Sequence, residues 1–187
     1  MRSRRRAGCG RACRWHGPLR YWRALHRPID EGTDLELKIN GAAHTCGAPA
    51  SSRALHVLRN ELGLLGVRAG CGEGHCGACT VLVDGVPTTT CDLSVGALEG
   101  RSVRTPEGVA TDGGLHPVQA ALLEAQAGQC GFCLSGILMS AVALTERVPA
   151  PSEAEVRTAL DRHLCRCGSQ PRILRAVMMA VAGASAP

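Results

Sequence analysis

Eight of the eleven cysteines fall into two tight groups, Cys71, Cys76, Cys79 and Cys91, then Cys130, Cys133, Cys165 and Cys167, and this pattern limits the fold more than any other feature. An odd total cannot pair fully within one chain, and no signal peptide places the protein in an oxidising compartment, so a disulfide framework is a poor expectation. Closely spaced cysteines make bad geometry for bridges, whereas sulfurs that converge on one point are what a metal requires. Metal ligation is therefore the first reading of both groups.

The first group has four, two and eleven intervening residues, which is the C-x4-C-x2-C spacing with a distant fourth cysteine found in plant-type ferredoxins. A [2Fe–2S] cluster carries negative thiolates and sulfides, and backbone N–H groups directed at them stabilise that charge. Gly70, Gly72, Gly74 and Gly77 let the loop wrap closely. Four thiolates also suit tetrahedral zinc, but zinc sites more often pair two short knuckles, and here three ligands share one glycine-rich loop. The second group sets C-x2-C before one helix and C-x-C after another, so two helix ends must meet. Taken alone it reads as readily as a zinc site or a thioredoxin-like redox pair, those two together, as it does as a cluster site.

Around these groups the chain changes character near residue 110. Leu35, Leu37 and Ile39 alternate with polar residues and run into Asn40-Gly41, a strand followed by a hairpin turn. Leu55, Leu58, Leu62 and Leu65 recur at helical spacing, with Gly63 or Gly66 to end the helix. A second hairpin is expected where Thr80 to Val83 meets Asp84-Gly85 and Val86 to Cys91. Beyond Val109 strand signals stop. Helices are predicted from Pro117, over Leu134 to Arg147, from the Ser152/Glu155 capping box to about Leu164, and from about Pro171. The expectation is an α+β half and an all-helical half, each with four clustered cysteines.

The net charge of +5 is uneven: nine of the 21 basic residues lie in the first 28 positions, before any acid. The rest of the chain carries −4. A basic arm over residues 1–33 is expected to be disordered rather than a nucleic-acid tail, since no nucleic-acid-binding module accompanies it. Ser3-Arg4-Arg5 is similar to the start of a twin-arginine export signal, but no apolar segment of the required length follows. Apolar runs fall far short of the roughly 20 residues that cross a bilayer, so no membrane span is expected.

The segments Gly70-Cys71-Gly72-Glu73-Gly74-His75-Cys76-Gly77-Ala78-Cys79-Thr80-Val81, Gly128-Gln129-Cys130-Gly131-Phe132-Cys133 and Leu164-Cys165-Arg166-Cys167 resemble the iron-sulfur subunit of the molybdenum hydroxylases, the xanthine oxidase and aldehyde oxidase family. Both motifs stand in the family's order, and the resemblance covers roughly residues 35 to 182. It implies a β-grasp, plant-ferredoxin-like [2Fe–2S] domain over 34–110 and an all-α four-helix [2Fe–2S] domain over 111–187. It makes all eight clustered cysteines iron ligands. It also implies that Gln129 and Cys167 face a molybdopterin held by a separate large subunit, and that the chain has no catalytic residue of its own.

Where many flavin-linked members read C-G-F-C-T-P-G and C-R-C-T-G-Y, this chain has Leu134-Ser135-Gly136 after Cys133 and Gly168-Ser169-Gln170 after Cys167. These variants look more like the small subunits of nicotinate dehydrogenase and isoquinoline oxidoreductase, whose acceptor is commonly a cytochrome c rather than a FAD-binding subunit. The expected role is an electron-transfer subunit, cytoplasmic, or periplasmic if an exported partner carries it there. The alternative from another class is a zinc-stabilised binding module. His75, His44 and His163 read as bland histidines, Cys46 as a thiol beside the sheet, and Cys9 and Cys13 as incidental. Ile137, Leu138, Val142 and Leu144 exceed one amphipathic stripe, which under the resemblance points to a partner interface, although a central bundle helix would look the same.

Overall fold

The computed structural model describes residues 34–110 and 113–184. The expected basic arm, with Cys9 and Cys13, lies outside the described residues. Alternation of buried and exposed side chains makes Leu35–Ile39 a half-buried strand, β1. It turns back through Asn40 and Gly41, both at positive φ (51° and 83°), into β2, Ala42–Cys46. Asp84 and Gly85 (50° and 79°) make the same turn between β3, Thr80–Val83, and β4, Val86–Thr89. Two positive φ values in succession are what a two-residue hairpin needs to match strand twist.

These hairpins are joined by a strand that the sequence pattern does not reveal. β5, Ser102–Arg104, lies parallel to β1 and antiparallel to β3, giving the order β2-β1-β5-β3-β4. Between the hairpins α1, Ala54–His56, widens into a π turn over Val57–Glu61 and buries Leu55, Val57 and Leu58 against the sheet. The helix ends at Leu62, where Gly63 takes φ +69°, so Leu65 leaves the expected stripe and stands 56% exposed. This is the mixed sheet with one crossing helix that the ferredoxin-like expectation requires.

The second half is helical: α2, Pro117–Glu124, α3, Leu134–Arg147, α4, Glu153–Leu160, and α5, Gln170–Ala184. The Ser152/Glu155 capping box forms as expected, but α4 stops at Leu160, one turn short of Leu164. Every residue of α3 from Gly136 to Leu144 is buried. The partner-interface reading of its apolar run is therefore corrected, because α3 is the central element and is covered on several sides by this chain.

The described residues belong to one compact unit with two hydrophobic cores. β3 is shared between them: Val81 and Val83 face the first core, while Leu82 enters the helical one with Met139, Val142 and Val177. All four of its residues are buried for that reason.

Where the halves meet, contact is backbone to backbone. A Cβ on Gly136 would collide with the carbonyl oxygen of Gly77, and one on Gly77 would collide with the imidazole of His163. His163 is 5% exposed, its Nε2 lies 2.7 Å from Ser140 Oγ, and burial pushes its pKa down to about 4, so the ring is neutral. Gly136→Ala is expected to cost about 1–3 kcal/mol, the usual penalty of overpacking a filled site. Gly183→Ala in α5, where a Cβ would meet nothing within 4 Å, should instead be neutral or gain up to about 1 kcal/mol from helix propensity. Chemical denaturation of the two variants checks this opposite sign.

Candidate metal centres

The loop from Gly70 to Cys79 lies between α1 and β3, and Cys91 follows β4, so one hairpin carries the last two sulfurs of the first group. Its four thiols do not form a disordered fringe. Cys79 and Cys91 are each 1% exposed and touch each other, while Cys71 is at the surface and contacts the half-buried Cys76. The second group repeats the scheme. Cys133, at the start of α3, is buried against Cys165, and the exposed Cys130 lies with its sulfur 3.5 Å from that of Cys167.

Each group is thus an outer pair and an inner pair of sulfurs. Among the described residues, no three or more His, Cys, Asp or Glu side chains gather as a site for one metal ion. Two pairs side by side suit a binuclear [2Fe–2S] cluster, in which each iron takes two cysteines, better than a mononuclear tetrahedral ion.

The backbone around the sulfurs also fits a negatively charged group. The N–H groups of Glu73, His75 and Cys76 donate to Cys71 Sγ at 3.4, 3.3 and 3.4 Å. Gly74 N–H donates to Cys91 Sγ at 3.1 Å, Cys71 N–H to Cys76 Sγ at 3.3 Å, and Thr90 N–H to Cys79 Sγ at 3.4 Å. At the second group, the N–H of Phe132 faces Cys130, and those of Ser169, Cys167 and Gly168 face Cys165. The close wrap depends on a missing side chain: a Cβ on Gly70 would stand 2.5 Å from Cys76 Sγ.

These contacts separate the thiols by proton affinity. The three backbone donors at Cys71 pull its pKa down to about 6. Burial pushes Cys91 up to about 11 and Cys133 up to about 12. At Cys165 burial raises the value, but the surrounding N–H groups and Cys133 outweigh it and the net shift is downward.

The two groups are joined directly. Leu164 N–H donates to the Cys76 carbonyl at 3.1 Å, so one hydrogen bond links a residue of the first group to the neighbour of Cys165 in the second. His163, packed on Gly77, holds the two loops together at that point. In the sequence His163 reads as a bland histidine, since nothing local distinguishes it. His75 and Glu73 are exposed, as expected of solvated loop residues, and Gln129 is exposed beside Cys130. Cys46 belongs to neither group: its thiol is 2% exposed and donates to Glu61 Oε2 at 3.3 Å.

Residues 37–102 match the family described as the 2Fe-2S iron-sulfur cluster binding domain, and residues 105–178 match the [2Fe-2S] binding domain. The chain is 43% identical over 148 residues to a nicotinate dehydrogenase subunit of Pseudomonas putida, covering 79% of this chain and 94% of that one. The chain belongs to the iron-sulfur subunits of the molybdenum hydroxylases. The alpha subunit of isoquinoline 1-oxidoreductase from Brevundimonas diminuta is a further relative, 40% identical over 144 residues, which span 76% of this chain and 94% of the relative. Among solved structures, a chain of quinoline 2-oxidoreductase from Pseudomonas putida 86 superposes with a TM-score of 0.78 at 32% identity, covering 83% of this chain and 97% of the other.

As an iron-sulfur subunit this chain is part of an oxidoreductase complex, its cofactors are [2Fe–2S] clusters, and molybdopterin belongs to the partner subunit. Among the described residues no helix is long and apolar enough to cross a membrane.

The thiol pKa values predict reactivity in a chain stripped of metal. Cys71 is a thiolate above about pH 6, whereas Cys91 and Cys133 remain thiols at neutral pH. Brief iodoacetamide treatment at neutral pH, read by peptide mass mapping, should label Cys71 well ahead of Cys91 and Cys133. The Cys71 rate should fall as the pH drops below about 6.

Proposed function

We propose that this chain relays electrons between the partner's molybdopterin centre and an external acceptor through two [2Fe–2S] clusters. Residues 34–110 carry one cluster on Cys71, Cys76, Cys79 and Cys91. Residues 111–187 carry the other on Cys130, Cys133, Cys165 and Cys167. The observation that supports this reading best is the repeated outer and inner sulfur pair, wrapped by backbone N–H groups in both halves. Each cluster, when bound, takes up and gives back one electron. The chain's part is to hold the thiolates, stabilise their charge with peptide dipoles, and keep the two sites in one rigid contact through Leu164 and Cys76.

The helical half is the side toward the molybdopterin-binding partner. Gln129 and Cys167 would face the pterin: Gln129 is exposed and adjoins Cys130, whose sulfur meets that of Cys167. Phe132 and Leu164, 45% and 66% exposed and each next to a cysteine of this group, add apolar surface for that partner. The ferredoxin-like half then delivers electrons outward. The similarity to nicotinate dehydrogenase and isoquinoline oxidoreductase subunits favours a cytochrome c acceptor over a FAD-binding one. No nucleic acid takes part. The working compartment is the cytoplasm, or the periplasm if the complex is exported together.

Purification of the native complex tests this assignment. The expected result is a much larger molybdopterin-binding polypeptide bound to this chain, with two irons and two acid-labile sulfides for each cysteine group. Cys133→Ser should remove one of two reduced-cluster EPR signals and slow substrate-driven reduction of the survivor. Stoichiometric zinc without labile sulfide, or a native assembly with no molybdopterin-binding polypeptide, would overturn it.

A further inference from the structure

Among the described residues two buried side-chain polar atoms have no hydrogen-bond partner in the protein, Nδ1 of His163 and Oγ of Ser169. Leaving a polar group buried and unpaired is costly, so each calls for an explanation. His163 has one in the Gly77 backbone, against which its Nδ1 lies. Ser169 has no such explanation among the described residues.

Ser169 is 2% exposed and directly precedes α5. Its carbonyl accepts from Ile173 N–H at 3.0 Å, which makes it the capping residue of that helix. A capping serine normally turns its hydroxyl to the N–H of the second or third helical residue. The second here is Pro171, which has no N–H, and the hydroxyl makes no bond to the third, Arg172. Meanwhile the backbone N–H of Ser169 is directed at the sulfur of Cys165. The residue is therefore seated on the second cysteine group with a free O–H donor, at a helix N-terminus whose dipole favours negative charge.

We infer that the Ser169 hydroxyl donates a hydrogen bond to a sulfur of the [2Fe–2S] cluster held by Cys130, Cys133, Cys165 and Cys167, and raises its reduction potential. The inference rests on the cluster assignment proposed above. Cluster sulfurs become more negative when an electron is added, so a fixed donor stabilises the reduced form more than the oxidised one. Ser169 thus acts as a positioning residue for electron transfer, biasing one cluster and leaving the other alone.

Redox titration of the intact complex, followed by EPR, tests the inference. Ser169→Ala should shift the reduction equilibrium of the helical-half cluster about tenfold toward the oxidised state, which for a one-electron couple is about 59 mV downward. The ferredoxin-like cluster should keep its potential. Ser169→Gly, which leaves no side chain to misplace, should act in the same sense, and Ser169→Thr, which retains the hydroxyl, should restore the wild-type value. An exchangeable-deuteron coupling to the reduced helical-half cluster should be present in wild-type protein and absent in Ser169→Ala. Unchanged potential and coupling in the hydroxyl-free variants, with both cluster signals present, would overturn the inference alone. A wild-type complex without a helical-half cluster signal would overturn the assignment beneath it.

Discussion

The hydrogen bond from Leu164 N–H to the Cys76 carbonyl, 3.1 Å long, ties the two cysteine groups together at the seam between two halves whose cores already meet through β3. It can form only because the neighbouring positions lack side chains. Gly77 and Gly136 approach within a distance no Cβ would tolerate, and His163 fills what remains. A neutral imidazole suits this place, since burial and the nearby Arg162 charge hold its pKa down to about 4. Rigid spacing suits the relay proposed here, which depends on holding two redox groups in a fixed relation.

Charge is the second problem such a chain must solve. Four thiolates gathered at one point repel one another, and burying them adds desolvation. The structure answers with peptide N–H groups rather than basic side chains. Cys71 alone receives three. The inner sulfurs of Cys91 and Cys133 keep high proton affinity in the metal-free chain, so the iron ligation proposed for them would release their protons at neutral pH. Of the outer sulfurs, those of Cys71 and Cys130 are at the surface and those of Cys76 and Cys167 are half-buried.

Much of this was legible in the sequence because the signals were local. Asn40-Gly41 and Asp84-Gly85 mark hairpins by their own backbone preferences, Ser152 and Glu155 cap α4 by reciprocal bonds, and the cysteine spacing prescribes the loop. What escaped was long-range. β5 has three residues, of which only Val103 is buried, and it becomes a strand by docking between β1 and β3. Leu65 kept the helical spacing but lost the helix to Gly63. α4 ends early, and the chain beyond it turns His163 into the interface. The apolar run of α3 looked like an exposed surface because periodicity cannot tell a helix covered by its own chain from one covered by a partner. His163 carries no motif at all, and its place is set only once Gly77 and Gly136 are brought against it.

The central claim is that both cysteine groups hold [2Fe–2S] clusters and that the Leu164 to Cys76 contact keeps them in one rigid unit. Low-temperature EPR of the fully reduced complex tests it most directly, because two paramagnetic centres held close together split and broaden each other's signals. Two reduced-cluster signals are expected, with mutual magnetic splitting that disappears when only one cluster is reduced. A single signal, or two signals with no interaction at full reduction, would contradict it.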